Sequence, residues 1–223
     1  NSNYVIIPYV NAHKLNIDRK PDSTYLLGPD YYILRDEFNI TKKKKIEKKV
    51  KRIIITMGGA NPHGFSEKVL DAIKLINEPF KIVVIVTSAT KFDYSYVNKL
   101  KNEYAGIIDV LIDCNNMAQQ MALADLAIIN SGLTKYETLS MGLPSVVISN
   151  HPLHVEIMDD FEKETEALIH LGYGKELSIS KLSQEIRNII GDYQSREKMS
   201  EKGKELIDGL GLKRLAYIIT QNI

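Results

Sequence analysis

The feature that most constrains the fold is a regular alternation that begins at residue 52. Short runs of β-branched and aliphatic residues are separated by longer stretches whose apolar residues recur at helical spacing, as in 65–76. Such alternation is typical of βαβ units, in which right-handed crossovers place helices on both faces of a parallel sheet. The sequence therefore predicts an α/β fold. The expected strands are 52–57, 81–87, 107–112, 126–130, 145–149 and a short one at 169–171.

The rest of the chain is less regular. An apolar run at 4–8 predicts a strand, and the polar stretch 9–30, which contains two prolines, predicts an irregular crossing segment. Ser180 and Ser195 stand where the N-caps of helices are expected. The predicted helices are 31–38, 65–76, 92–104, 117–124, 133–141, 155–168, 181–190, 196–207 and 213–222.

Composition excludes several classes of protein. The chain has 223 residues, 44% of them hydrophobic, and a formal net charge of +1. These values rule out a disordered, collagen-like or coiled-coil chain, and the lack of a basic excess argues against a nucleic-acid partner. The single cysteine, Cys114, excludes a disulfide framework and a cysteine-based zinc site, and it suits a reducing, cytoplasmic compartment. The longest apolar run, 82–86, is far too short for a membrane span.

Two glycine-containing loops follow predicted strands, and the first is Gly58-Gly59. Ligands of open α/β sheets bind at the carboxyl ends of the strands. Glycines there let backbone N–H groups approach an anion, and the next helix directs its positive end to the same place. The alternative is a tight turn that needs glycine only for its backbone angles, and spacing alone does not decide between them. The loop matches neither a Walker loop nor the dinucleotide fingerprint.

The second loop, Ser131-Gly132, opens the helix that follows strand 126–130. Its backbone and hydroxyl donors, together with those of Thr134, suit a diphosphate. Phosphates would repel the carboxylate of Glu137, but it could accept hydrogen bonds from both hydroxyls of a ribose. The alternative is a capping box, in which Thr134 caps the helix and Glu137 reaches back to it. Two such loops at neighbouring strand ends favour binding, because they would form two donor-lined walls beside a ribose acceptor.

Three segments resemble the C-terminal, nucleotide-binding half of GT-B enzymes. They are Arg-Ile-Ile-Ile-Thr-Met-Gly-Gly-Ala-Asn at 52–61, the stretch 124–144, and Leu-Leu-Gly-Pro-Asp-Tyr-Tyr-Ile-Leu-Arg-Asp-Glu-Phe at 26–38. The peptidoglycan N-acetylglucosaminyltransferase is the broad relative. The segment 26–38 is most similar to the linking segment of the UDP-sugar hydrolase of pseudaminic acid synthesis and of its spore-coat polysaccharide relatives.

The resemblance, which covers roughly residues 4–175, implies a fold and a domain organisation. The fold would be a Rossmann-like parallel sheet with helices on both faces. Residues 1–50 would be the end of an N-terminal domain and the interdomain linker, and 51–208 the nucleotide-sugar-binding domain. Residues 209–223 would form a helix that packs back onto the N-terminal domain. The chain does not begin with Met, so we expect it to be cut from a longer protein that supplies the N-terminal domain.

The resemblance also implies site residues, with UDP as the ligand and with neither a metal nor a cofactor. Asp113 and Cys114 would meet the uracil through backbone atoms, and Glu137 would bind the ribose hydroxyls. No metal is needed, because donors at the two helix starts neutralise the diphosphate. The residues implied to contact the diphosphate or sugar are Gly58, Gly59, Ala60, Ser131, Gly132, Leu133 and Thr134.

The chain departs from the family pattern in three places. Where the hydrolases usually have Gly-Gly-Ser-Thr, this chain has Ser131-Gly132-Leu133-Thr134, which favours the transferase form. Where the family shows Asn-Gln, this chain has 150–154, so His154 could replace the amide in gripping sugar or phosphate, although loop histidines are more often incidental. Asn61 is a further candidate contact. The Gly-x-Gly-His loop, whose histidine would be the general base, is absent, so we expect this chain to bind UDP without turning over substrate.

Three functions follow. The first two are enzymatic and differ in the attacking group, and the third is not enzymatic. The first is the donor-binding half of a hydrolase, in which water releases UDP from a UDP-diacetamido-trideoxyhexose for nonulosonic (pseudaminic-type) acid or surface polysaccharide biosynthesis. The second is a GT-B glycosyltransferase of surface polysaccharide, in which a sugar hydroxyl attacks. The third is a non-catalytic module that only binds sugar nucleotides. Tyr31-Tyr32 and the helix 213–222 would form an exposed apolar patch that could drive homodimerisation.

Overall fold

The computed structural model of the chain describes residues 4–41, 45–59, 61, 63–90 and 92–221. The strands in these ranges are β1 Tyr4–Ile7, β2 Thr24–Leu27, β3 Arg52–Thr56, β4 Lys81–Val86, β5 Ile107–Ile112, β6 Leu126–Asn130, β7 Ser145–Ser149 and β8 Ile169–Tyr173. The α-helices are α1 Asp36–Ile40, α2 Phe65–Ile76, α3 Tyr94–Glu103, α4 Met117–Leu123, α5 Thr134–Met141, α6 Leu153–Thr165, α7 Ile179–Gly191, α8 Tyr193–Leu206 and α9 Gly211–Thr220. Short 3-10 helices occupy Val10–Lys14 and Pro29–Tyr31.

Six strands form one parallel sheet in the order β5-β4-β3-β6-β7-β8, while β1 and β2 pair separately and in parallel. The chain winds outward from β3 to β5, returns to the other side of β3, and then winds outward from β6 to β8. The winding direction therefore reverses between β3 and β6, which pair directly, with Ile53 opposite Leu126. In open α/β sheets this reversal point is where ligands bind.

Both faces of the sheet are buried, which explains why its strands are continuous apolar runs. On β3, Ile53 and Ile55 join a cluster with α2, α3 and α7, whereas Ile54 points into a second cluster with α4, α5 and α6. All three isoleucines are at most 1% exposed. Burying one such side chain contributes roughly 1.5–3 kcal/mol, so the alternating faces of β3 fix its place at the centre of the sheet.

The predicted parallel sheet with helices on both faces is confirmed, and several elements have the predicted bounds. The helix 65–76 is α2, and the strands 107–112 and 126–130 are β5 and β6. Gly142 ends α5 in the left-handed conformation, as its position after the helix predicts. No helix in the described ranges is both long and apolar enough to cross a membrane.

The segment 9–30 is more ordered than the sequence predicts. It contains a 3-10 helix and the strand β2, which pairs with β1 from Tyr4 opposite Thr24 to Ile7 opposite Leu27. The four residues of β2 are flanked by polar residues, and their partner strand is 20 residues away in sequence, so no local period indicates the pairing.

The predicted helix over 31–38 is wrong. Residues Tyr32 and Arg35 are extended, and α1 begins only at Asp36. The reason is tertiary: the ring of Tyr32 stacks on that of Tyr136, with centroids 4.2 Å apart, and Leu34 is buried in the second cluster. A helix would rotate one of these side chains out of contact.

Two predicted helix caps are also wrong by a few residues. Ser178, not Ser180, caps α7 by accepting from the N–H of Lys181 at 3.1 Å. Asp192, not Ser195, caps α8, and the N–H of Ser195 donates to its carboxylate at 3.0 Å. In both cases the residue that accepts lies three positions before its donor, which is the geometry of an N-cap.

The expected apolar patch is only partly present. Tyr31 and Tyr32 are half-buried, because α9 packs against the 3-10 helix of residues 29–31 and Gly211 lies against their backbone. On α9, however, Leu212, Tyr217 and Ile219 are exposed. Homodimerisation stays a prediction.

Candidate functional site

The two glycine loops lie side by side at the reversal point of the sheet. Gly58-Gly59 follows β3, Ser131-Gly132 follows β6, and these strands pair as far as Thr56 opposite Ile129. The predicted proximity of the two loops is therefore confirmed. Parallel strands place both loops at the same, carboxyl edge of the sheet.

The side chain of Asn130 joins the two loops. This residue ends β6 and is buried; its Nδ2 donates to the carbonyl of Met57 at 3.1 Å, and its Oδ1 accepts from the N–H of Gly132 at 3.2 Å. One donor and one acceptor on the same amide satisfy both loops, which a carboxylate could not do. At Gly58 φ is +73°, and an added Cβ would lie 2.6 Å from Asn130 Nδ2, so both the backbone angle and the available space require glycine.

A cleft of about 250 Å³ opens between the first glycine loop, the start of α5 and the carboxyl ends of β4 and β5. Six of the predicted site residues line it, although they come from three separate parts of the chain: Gly58, Gly59, Asp113, Cys114, Thr134 and Glu137. Arg35 and Thr87 also line the cleft. The structure thus brings together backbone donors, the two carboxylates of Asp113 and Glu137, and one guanidinium.

Threonines after β4 hold the first loop in place. The carbonyl of Gly59 accepts from the hydroxyls of Thr87 and Thr90, each at 2.8 Å. Both lone pairs of this carbonyl are therefore occupied, and it faces β4. Sequence reasoning missed both threonines, because the turn after β4 carries no glycine or helix-start motif next to them.

The loop after β5 presents backbone to the cleft. Asp113 has a left-handed φ of +49°, and its Oδ1 accepts from the N–H of Ser88 at 2.9 Å, which ties this loop to the one after β4. The thiol of Cys114 is half-buried and donates to Asn116 Oδ1 at 3.1 Å. Both side chains are engaged within the protein, and so is the N–H of Asp113, which donates to the carbonyl of Val86 at 3.0 Å. The carbonyl of Asp113 and the backbone of Cys114 are the groups left for a ligand.

Glu137 is a largely buried carboxylate that shares the cleft with a cation. Arg35 Nη2 lies 3.0 Å from Glu137 Oε1, and Arg35 Nη1 lies 2.7 Å from Glu37 Oε1. Burial raises the pKa of Glu137, while the hydrogen bond and the charge of Arg35 partly oppose that rise. The second carboxylate oxygen, Oε2, is the one that a ribose hydroxyl would meet.

The capping-box alternative for this helix is wrong. The residue at the N-cap of α5 is Leu133, which offers no side-chain bond, and Thr134 is already inside the helix. Glu137 does not reach back, because Arg35 holds its carboxylate. Because no side chain caps α5, the first N–H groups of this helix are available to an anion.

The second loop is flanked by a histidine. Ser131 Oγ lies 2.9 Å from Nδ1 of His154 and 3.4 Å from Oδ1 of Asn150, whereas His151 Nδ1 accepts from the N–H of Leu153. His154 is exposed and touches the loop that the cleft borders, so a contact with the sugar or phosphate stays a prediction.

Five predicted residues in the described ranges do not line the cleft: Asn61, Ser131, Gly132, Leu133 and His154. Ala60 lies outside the described residues. Asn61 is buried with its side chain turned to the start of α2: its Oδ1 accepts from the N–H of Ser66 at 3.1 Å, and its Nδ2 donates to Glu67 at 2.9 Å. Its amide is thus used inside the protein and does not line the cleft.

No family model matches the chain. An uncharacterized protein of Methanocaldococcus jannaschii is 32% identical over 207 residues, which cover 85% of this chain and 42% of that protein. The spore coat polysaccharide biosynthesis protein SpsG of Bacillus subtilis is 26% identical over 197 residues, which cover 86% of this chain and 57% of SpsG. The chain therefore spans about half the length of the curated relatives that it matches.

Solved structures share the architecture. MurG of Acinetobacter baumannii matches with a TM-score of 0.67 at 18% identity, over 92% of this chain and 58% of that one. The fold is that of a GT-B Rossmann-like domain. The glycosyltransferase of kitacinnamycin gives a TM-score of 0.64 at 16% identity, over 98% and 54% of the two chains. UGT2 of Phytolacca americana, complexed with UDP-2-fluoroglucose and pterostilbene, gives 0.62 at 12% identity, over 98% and 53%.

Proposed function

We propose that this chain is the UDP-sugar-binding part of a GT-B enzyme that transfers a sugar to a hydroxyl group in surface polysaccharide biosynthesis. The observation that carries the proposal is the cleft at the reversal point of the sheet, where the first glycine loop and the start of α5 meet the largely buried carboxylate of Glu137. Support also comes from SpsG, which acts in spore coat polysaccharide biosynthesis, and from fold neighbours that are glycosyltransferases or bind a UDP-sugar.

Each wall of the cleft has the chemistry for one part of UDP. The backbone at Asp113 and Cys114 would meet the uracil, and Glu137 would accept from the ribose hydroxyls. The diphosphate would lie between Gly58 and the first N–H groups of α5, where the helix dipole favours negative charge. These donors are fixed before the ligand arrives, so they would stabilise the UDP leaving group without a metal.

The group that activates the acceptor is proposed to lie in a further domain. The two carboxylates of the described cleft are both engaged, Glu137 by Arg35 and Asp113 by the N–H of Ser88, so neither is assigned as the base. We infer that the intact protein supplies this base from an N-terminal domain, and that the 223-residue chain binds UDP without turnover.

Hydrolysis is a second candidate, in which water replaces the acceptor hydroxyl. It is favoured by the segment 26–38, which resembles the linking segment of the UDP-sugar hydrolase. This segment also contains Arg35, which lines the cleft. UDP release by the intact enzyme from a UDP-diacetamido-trideoxyhexose separates the candidates. A hydrolase releases UDP with water alone, a transferase needs an acceptor, and a non-catalytic module releases none.

The first test is calorimetric titration of the 223-residue chain with UDP, with ADP and CDP as controls. UDP should bind selectively, and Glu137→Ala should weaken binding by about 1.5–3 kcal/mol, the value of a charge-assisted hydrogen bond. Glu201→Ala, which removes an exposed carboxylate on α8, is the matched control and should leave the affinity unchanged. Binding that is insensitive to Glu137, or no binding of UDP, would contradict the proposal.

A further inference from the structure

Lys135 is a buried cation directly behind the second glycine loop. Its side chain belongs to α5 and the residue is only 9% exposed. Nζ donates to the carbonyls of Ser131 and Gly132, at 3.2 and 3.1 Å, and lies 4.7 Å from the ring centre of Tyr136. Within the described residues no carboxylate pairs with it, and burial lowers the pKa of the ammonium to about 8. A buried charge without a counter-ion is unfavourable, so its retention requires a reason.

The geometry of the loop relates this cation to the cleft. The described peptide bonds are trans, so each N–H points away from the carbonyl of the same peptide unit. The carbonyls of Ser131 and Gly132 face Lys135, and the N–H groups of Gly132 and Leu133 therefore face the opposite side. The N–H of Gly132 donates to the buried Asn130, which leaves the N–H of Leu133 for a ligand, and Thr134, the next residue, lines the cleft.

The charged neighbours leave the positive charge of Lys135 uncompensated. On the far side of the loop a cavity of about 350 Å³ contains Lys14 and Asp160, which form an ion pair at 2.7 Å. Lys14 already pairs with Asp160, and among the described residues neither Asp160 nor Glu156, the other carboxylate of this cavity, forms an ion pair with Lys135. The titratable or charged groups around Lys135 are Tyr9, Lys14, Tyr136, Glu137, His154, Glu156 and Asp160.

We propose that Lys135 is a positioning residue of the anion site: it holds the carbonyls of Ser131 and Gly132, so that the N–H of Leu133 and the start of α5 are turned toward a nucleoside diphosphate, and it supplies the buried positive charge that this ligand balances. The inference rests on the proposed function and deepens it. The ammonium lies at the carbonyl ends of these peptides, and the positive N–H ends point the other way. The charge of the ammonium and the peptide dipoles therefore both attract an anion on the N–H side. Ligand binding in turn stabilises the protonated form of Lys135, because the linkage between the two is reciprocal.

Proton uptake on UDP binding is the readout that a merely structural lysine would not give. Titration of the 223-residue chain with UDP at pH 8, in Tris and in HEPES, yields the number of protons bound from the difference in apparent enthalpy. Since about half of the Lys135 side chains are neutral at this pH, we expect an uptake of about 0.5 proton per UDP. No uptake by a chain that binds UDP would overturn the inference and leave the proposed function standing.

Lys135→Arg is the matched variant, because a guanidinium keeps its charge at pH 8. It should bind UDP within about threefold of the wild-type affinity and take up no proton. Proton uptake at any group other than Lys135 would persist in Lys135→Arg. Persisting uptake would therefore overturn the assignment to Lys135.

Lys135→Met tests the charge itself. The substitution keeps the length of the buried side chain, and we expect UDP affinity to fall at least about tenfold while affinity for uridine, which has no phosphate, is unchanged. An equal loss for both ligands, or no loss, would overturn the inference. If Lys135→Met does not fold, proton uptake by wild type and Lys135→Arg decides. Failure of the wild-type chain to bind UDP would contradict the proposed function and, with it, this inference.

Discussion

Arg35 and Glu137 are 102 residues apart in sequence, and the guanidinium Nη2 of Arg35 donates to Glu137 Oε1 at 3.0 Å. The same guanidinium pairs with Glu37, whose other oxygen accepts from the N–H of Ala118 at the start of α4. The segment around α1 is therefore fixed to the site by charge as well as by the buried Phe38. It forms part of the wall of the cleft.

Glu137→Gln should stabilise the fold at neutral pH while weakening UDP binding. The pKa of Glu137 is raised in the folded protein, so the ionised carboxylate is disfavoured there relative to the unfolded chain. This penalty is present at neutral pH and disappears as pH falls through the folded pKa. Urea denaturation should thus show a higher free energy of unfolding for Glu137→Gln at pH 7.5 than for wild type, and a smaller difference at pH 4.5. A less stable variant at pH 7.5 would contradict the assigned burial effect.

Arg35→Gln should change the pH dependence of UDP binding. Arg35 opposes the rise in the pKa of Glu137, so its removal raises that pKa further. The ribose requires the ionised carboxylate as an acceptor, and affinity is lost as pH falls through the pKa. In titrations from pH 8 to pH 5, the loss should therefore begin at higher pH in Arg35→Gln than in wild type. Arg19→Gln, on an exposed residue beside Tyr25, is the control, and an unchanged profile in Arg35→Gln would refute the coupling.

The two glycines of the first loop should respond differently to alanine. At Gly58 φ is +73° and the new Cβ would meet the amide of Asn130, whereas at Gly59 the nearest atoms, of Thr87, are 3.8 Å away. We expect Gly58→Ala to cost about 2–3 kcal/mol of stability and Gly59→Ala less than about 0.5 kcal/mol. Urea denaturation of both variants measures this, and equal losses would contradict the strained geometry.

Arg196 should be a major source of stability. Its side chain is fully buried and donates to the carbonyls of Ile189, Ile190, Glu47 and Lys48, which connects α7 to the segment before β3. Arg196→Leu leaves these acceptors without the charged donor and should cost about 2–3 kcal/mol. Arg187 also donates to two carbonyls but is exposed, so Arg187→Leu should cost less than about 0.5 kcal/mol. Similar costs for the two variants would show that the buried bonds contribute little.

A buried serine, a buried histidine and an exposed aspartate form a chain of hydrogen bonds that we expect to be structural. Ser149 Oγ lies 2.9 Å from Nε2 of His170, and Asp159 Oδ1 lies 2.6 Å from its Nδ1. Ser149 has no exposed surface, so a serine-directed sulfonyl fluoride should not label the folded chain in mass spectrometry. His170→Phe, which leaves the hydroxyl unpaired, should cost about 1–3 kcal/mol, and Asp159→Asn, at an exposed carboxylate, much less. Labelling of Ser149 would contradict this interpretation.

The sequence by itself determined the elements of the sheet and the position of the two loops. A run such as 126–130 is a strand because adjacent β-branched and aliphatic residues favour an extended chain buried on both faces. Gly142 ends α5 because it can adopt a left-handed φ of +65°. These signals act over a few neighbouring residues, so they can be interpreted without knowledge of the fold.

Only the tertiary structure decided how the site is held together. Asn130 is an ordinary strand end in the sequence, and it becomes a bridge because β3 and β6 are neighbours in the sheet. Nothing in the sequence around Lys135 predicts that its side chain is buried, yet the packing of α5 against α6 removes it from water. Four strands of the main sheet, β3 to β6, lie between Arg35 and Glu137 in the chain, so the two residues meet only once that part of the sheet has assembled. Such contacts depend on strand order and on desolvation, and both are properties of the assembled sheet rather than of any local stretch of residues.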